Sequence, residues 1–183
     1  MPSPIENLVG SEKAKLVMPD LAGSIALEDN TFARTVYQRL ASESSIDAFL
    51  KKSRSYSMRE RRWKLPHDCT RLFNGDFYTP VRNIVSSIMK HFWKDATAQG
   101  KRQVVDTHTT DLQHYRSDPE SHKSRPSLVI QAAGSSFQTP LPELGETATT
   151  VGFSNAASCI EIRCEGDDFP VEEQLVRATI YAR

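Results

Sequence analysis

Cys159-Ile160-Glu161-Ile162-Arg163 decides the fold class of this chain, because its side chains alternate between apolar and polar. A few residues later comes Val171-Glu172-Glu173-Gln174-Leu175-Val176-Arg177-Ala178-Thr179-Ile180-Tyr181, whose spacing is helical. In a strand, Ile160 and Ile162 take one face while Glu161 and Arg163 share the other. The apolar face enters a core, and the charged face is left to hold a polar site. Gln174 and Tyr181 stand seven residues apart, about two helical turns, so both project from one stripe that can lie beside that site. Asp168 and Pro170 open the helix, and Glu172 and Glu173 complement the positive end of its dipole.

Upstream, Gln103-Val104-Val105-Asp106-Thr107 and Ser127-Leu128-Val129-Ile130-Gln131 carry the β-branched content of strands. Leu128 to Ile130 is apolar throughout, as in a strand covered on both faces. The connection from Gly134 to Gly152 is too long for a simple hairpin. Helices come earlier. Phe32, Val36 and Leu40 follow the capping residue Asn30, and Ile46, Phe49 and Leu50 follow Ser44 or Ser45. Val81, Ile84, Val85, Ile88, Phe92 and Trp93 form the clearest stripe, with Thr79 as cap and Pro80 at the first helical position. That stripe predicts a core helix. Together these segments predict an α/β domain over 29–183 with a mixed sheet flanked by helices, 29–95 mainly helical and 103–183 strands plus a final helix. Residues 1–28, interrupted by Pro2, Pro4, Pro19 and Gly23, read as a loosely packed arm. No stop signal follows the last helix before Arg183, so the expectation is a fragment truncated at its C-terminus.

Lysine and arginine number 23, as do aspartate and glutamate, so any attraction to a polyanion must be local. Residues 1–18 lack the continuous apolar run of a signal peptide or spanning helix, which argues against secretion and membrane insertion. Cys69, Cys159 and Cys164 make neither a disulfide framework nor a zinc-finger ligand set, and are expected to be reduced thiols of an intracellular protein, cytoplasmic or nuclear.

One local bias stands out. Lys51, Lys52, Arg54, Arg59, Arg61, Arg62 and Lys64 put seven cations in fourteen residues, interleaved with Tyr56 and Trp63. Such a segment can track phosphates and stack a base, with Arg59, Arg61, Arg62, Lys64 and Trp63 as contacts. The plainer reading is a solvated linker or a nuclear-import signal. His108, Asp111 and His114 have a spacing that would suit a transition metal on a helix, but the Thr-rich setting reads as strand and loop, leaving surface histidines. Cys159 shares the face of Glu161 and, with no committed histidine partner, reads as a packing residue rather than a nucleophile.

Arg125-Pro126-Ser127-Leu128-Val129-Ile130, then Val151-Gly152-Phe153-Ser154-Asn155 leading into Cys159–Arg163, then Glu173-Gln174-Leu175 ending in Ile180-Tyr181-Ala182-Arg183, form an ordered set. Over residues 124–183 this set resembles the region preceding the catalytic core in the fungal-type protein kinases, a family typical of mushroom-forming fungi. In that family the region is similar to the PD-(D/E)xK restriction-endonuclease-like fold. There an aspartate opening one strand and a glutamate-x-lysine on the next gather a divalent metal, assisted by a glutamine on the following helix. Hard magnesium needs clustered carboxylates, and a nearby cation stabilises the attacking hydroxide and the developing phosphorane charge.

The resemblance places the aspartate at Ser127, the glutamate at Glu161, the lysine at Arg163 and the helical pair at Gln174 and Tyr181. Two positions depart from the pattern. Ser127 removes a formal charge and a strong metal ligand, and Arg163 keeps its charge but cannot act as a general base. Glu161 is then the remaining metal ligand, and a working nuclease would need Asp106 or Asp111 to replace the lost carboxylate. The resemblance therefore implies a degenerate site without a cofactor, Glu161 paired with Arg163, and a regulatory or interaction role toward a downstream kinase domain or another protein partner. The alternative is a metal-dependent nuclease or nucleic-acid-binding domain, with Mg2+ on Glu161 and segment 51–64 gripping the strand. The chain carries none of the glycine-rich loop, strand lysine, catalytic aspartate and metal-binding aspartate that phosphoryl transfer requires, so it is not a kinase on its own.

Overall fold

The computed structural model describes residues 31, 35, 40–66, 77–93, 101–112, 125–140 and 151–162. The chain divides into two compact units, residues 1–40 with 166–183, and residues 41–165. In the first, Thr31 and Thr35 are helical, and Thr35 Oγ1 donates to the Thr31 carbonyl at 2.9 Å, one turn back. Arg163, Gln174 and Tyr181 lie outside the described residues.

The second unit is mixed α/β. Helix α1 (Glu43–Lys52) is capped by Ser42, whose hydroxyl accepts the Ser45 N–H at 3.2 Å. The cap is therefore two or three residues earlier than the expected Ser44 or Ser45. An N-cap hydroxyl reaches an N–H of the first turn, and Ser45 is itself that donor. Phe49 is the buried anchor of α1, and Lys51 and Lys52 sit in its last turn, where cations suit the dipole. Strands β1 (Tyr56–Ser57) and β2 (Arg62–Trp63) then pair antiparallel as a small hairpin. The basic segment is thus an ordered ribbon, not a plain linker.

Helix α2 (Tyr78–Phe92) begins earlier than expected, with Phe77 at the cap position, no side-chain cap bond, and Pro80 in the first turn. Pro80 costs nothing there, because first-turn N–H groups have no partner within the helix. Of the predicted apolar stripe only Ile84 is fully buried, while Phe92 and Trp93 remain partly in solvent. The C-terminal end of α2 is nonetheless anchored. The Phe49 ring meets Phe92 at 5.4 Å and His91 at 4.9 Å, joining α1 to α2.

Strands β3 (Arg102–Asp106), β4 (Leu128–Ala132) and β5 (Ala156–Ile160) form an antiparallel sheet in the order β3-β4-β5. Among the described residues both sheets are wholly antiparallel, where a mixed sheet was expected. The apolar run of β4 is buried because it is the middle strand, paired on both edges, with Leu128 and Val129 fully shielded. Val105, Val129 and Cys159 are cross-strand neighbours and share one face. Against it pack Leu112, Val151, Phe153 and Ala156, making the core. The opposite face carries the row Asp106, Leu128 and Ile160.

Aromatic contacts tie α2 to both ends of β3. Tyr78 stacks on His108 with ring centroids 4.0 Å apart, and the Arg102 guanidinium lies 3.8 Å from the centroid of Trp93. Helix and strand therefore run antiparallel. The two ends of the long β4–β5 connection are also stitched together. Gln138 N–H donates to the Ser154 carbonyl at 2.9 Å, and Ser154 Oγ donates to the Gln138 carbonyl at 2.8 Å.

The strand expected over Cys159–Arg163 lies earlier in the chain, at Ala156–Ile160. Leu128, the first residue of β4, faces Ile160, so the ladder ends there and Glu161 and Ile162 lie just past it. Ala156-Ala157-Ser158 has little intrinsic strand preference and pairs because β4 offers an edge. The register skips Ala157, a bulge opposite Ile130 and Gln131.

Candidate functional site

Where the β4–β5 ladder stops, side chains take over the pairing. Ser127 N–H donates to Glu161 Oε2 at 3.3 Å, and Ser127 Oγ donates to the same oxygen at 3.4 Å. The Ile162 N–H in turn donates to Ser127 Oγ at 3.0 Å. The serine hydroxyl thus uses its proton and a lone pair at once, and it is only 6% exposed, so these bonds are formed with little competition from water. The other side of Ser127 is equally tied. Its carbonyl accepts the Thr107 N–H at 3.2 Å, and Thr107 Oγ1 donates to the Pro126 carbonyl at 2.6 Å. Thr107 and Pro126 are fully buried, so the floor of this site is a closed set of satisfied polar groups.

The two positions carried over from the nuclease pattern, 34 residues apart in sequence, therefore meet in hydrogen-bonding contact. The two carboxylates considered as replacements are engaged elsewhere. Asp106 lies in register with Leu128, and alternation along the strands puts it on the face opposite Ser127 and Glu161. Its Oδ1 is 2.5 Å from His108 Nδ1 and also accepts the His108 N–H at 3.2 Å. Asp111 Oδ1 accepts from Arg125 Nε at 3.0 Å. Among the described residues no three His, Cys, Asp or Glu side chains are grouped as a metal site. The candidate set His108, Asp111 and His114 divides accordingly, since His108 belongs to Asp106 and Tyr78, Asp111 belongs to Arg125, and His114 lies outside the described residues. Asp106 as the histidine's partner was missed, although the Asp-x-His spacing that brings them together is visible in the sequence.

Cys159 shares the Glu161 face and packs against the core. Burial first, and the Glu161 charge second, push its thiol from 9.0 up to about 11. Held that high, Cys159 carries about a hundredfold less thiolate at pH 8, so its alkylation should run about a hundredfold slower than that of an ordinary thiol. Peptide mapping by mass spectrometry after timed iodoacetamide treatment checks this. The sign for stability follows from linkage. The folded thiol keeps a proton that the unfolded one has lost, so stability is full below about pH 9 and declines as pH rises toward 11.

The hairpin is the second site raised by the sequence. Tyr56 and Trp63 meet edge to face at 5.1 Å, and Trp63 tilts onto Phe49 at 6.3 Å. Trp63 is thereby half-buried in the packing of α1 on the hairpin, while all seven cations of segment 51–64 are exposed. Arg62 Nε donates to Glu60 Oε2 at 2.8 Å, and Lys64 Nζ donates to the Arg54 carbonyl at 3.0 Å across the base of the hairpin.

No protein-family model matches the chain, and no curated protein or solved structure matches it either. Among the described residues no helix is long and apolar enough to cross a membrane.

Proposed function

We propose that this chain is a non-catalytic interaction or regulatory domain built on a restriction-endonuclease-like α/β core, resembling the leading part of a fungal-type protein kinase. The observation that carries this reading is the contact between Ser127 and Glu161. A nuclease of the PD-(D/E)xK type holds its metal between an acid on one strand and an acid on the next, and here the first position is a hydroxyl that donates into the second. A hard divalent ion prefers several charged oxygens, and this arrangement offers one acid whose Oε2 already accepts two hydrogen bonds from Ser127. The contact joins the start of β4 to the end of β5, which is a structural role. The protein partner is a downstream kinase domain or another intracellular protein, and the free Cys159 thiol suits a cytoplasmic or nuclear setting.

Incubation of the purified chain with plasmid and single-stranded DNA in Mg2+ or Mn2+ tests this proposal. We expect no cleavage above that of Glu161→Ala. Cleavage that is present in the parent and vanishes in Glu161→Ala would instead establish the metal-dependent nuclease.

A further inference from the structure

We infer that the hairpin of residues 54–64, with the C-terminal turn of α1, is a sequence-independent binding surface for duplex nucleic acid, separate from the Ser127 and Glu161 site. Three observations converge. Segment 51–64 carries seven cations against the single acid Glu60, in a chain whose charges balance only overall, and all seven are exposed. The segment is an ordered two-stranded ribbon, a shape that the major groove of B-DNA, about 12 Å wide, admits. Its tip is also set in place. Glu60 N–H donates to Ser57 Oγ at 3.2 Å and Arg61 takes a left-handed backbone angle, φ 53°, which holds Arg59 and Arg61 in a fixed turn.

The aromatic residues decide what kind of binding this is. Single-strand binders stack bases on open aromatic faces. Here Tyr56 and Trp63 pack against each other and Trp63 against Phe49, so the hairpin's rings serve its own fold. What it presents is guanidinium and ammonium, the groups that neutralise phosphates, and contacts to phosphates carry no sequence information. An anionic membrane would draw on a buried apolar face as well, and the hairpin exposes one large apolar side chain, Met58.

Fluorescence anisotropy of the full chain with a short mixed-sequence duplex, its single strand and phosphatidylserine vesicles tests the surface. Contact with four or five phosphates predicts affinity falling on the order of 100-fold between about 50 and 200 mM salt. The double variant Arg59→Gln, Arg61→Asn removes two cations while asparagine tolerates the positive φ, and is expected to weaken duplex binding at least about tenfold and reduce the salt slope by about two. Trp63→Phe, which keeps the packing, is expected to leave binding unchanged. The inference is overturned by absence of duplex binding at low salt, by indifference to the double variant, by a tenfold preference for the single strand, or by binding to vesicles and not to duplex.

Discussion

Ser127→Asp is expected to destabilise the domain by about 3–4 kcal/mol at pH 8, because two carboxylates about 4 Å apart repel by that order at an effective dielectric of 20. The position allows little relief. Ser127 Oγ already lies 3.4 Å from Glu161 Oε2, and its backbone is fixed by Thr107. One acid of the pair will hold a proton well above the ordinary carboxylate range. The folded variant then keeps a proton that the unfolded chain has released, so the penalty grows as pH rises above about 4 and fades below it. Urea unfolding of parent and variant at pH 5 and pH 8 reads this directly. Ser127→Asn, equally polar but neutral, is expected to cost far less at both pH values. Equal stability of parent and Ser127→Asp at pH 8 would mean that Ser127 and Glu161 are not neighbours.

Leu128→Ala is expected to cost about 2–5 kcal/mol, the range for emptying a leucine site in a packed core. Leu128 is fully shielded, it lies on the central strand, and it is flanked in register by Asp106 and Ile160, so a cavity there cannot collapse without moving β3 or β5. Ile46→Ala on α1 is the contrast. Ile46 is 40% exposed, so less area returns to water and the expected cost stays below about 1 kcal/mol. Thermal unfolding of both variants separates the cases, since each kcal/mol moves the midpoint by several degrees in a domain of this size. Similar losses in both would place the core elsewhere.

How much of this was legible before the structure depends on the range over which each signal acts. β-branched content placed β3 and β4 to within a residue, because such runs report burial directly. β5 was displaced toward Glu161, since Ala156-Ala157-Ser158 pairs through the neighbour it meets and carries little preference of its own. Caps were misplaced for a similar reason. Several serines lie before α1, and only geometry selects Ser42 as the one whose hydroxyl reaches an N–H. The hairpin inside the basic segment was missed entirely, as two-residue strands leave no periodicity to count.

For the site, the positional comparison named Ser127 and Glu161, and they are in contact. The setting of His108 was only half readable, because Asp106 lies two residues away in the sequence while Tyr78 reaches it from another helix. Arg163 and Gln174, the remaining members of the expected set, lie outside the described residues.

The most direct measurement is a calorimetric titration of Mn2+ into the purified chain alongside Ser127→Asp and Glu161→Ala. The proposal predicts no saturable heat in the parent, and binding only when aspartate replaces Ser127. Saturable Mn2+ binding by the parent that disappears in Glu161→Ala would contradict the proposal that this site is retired.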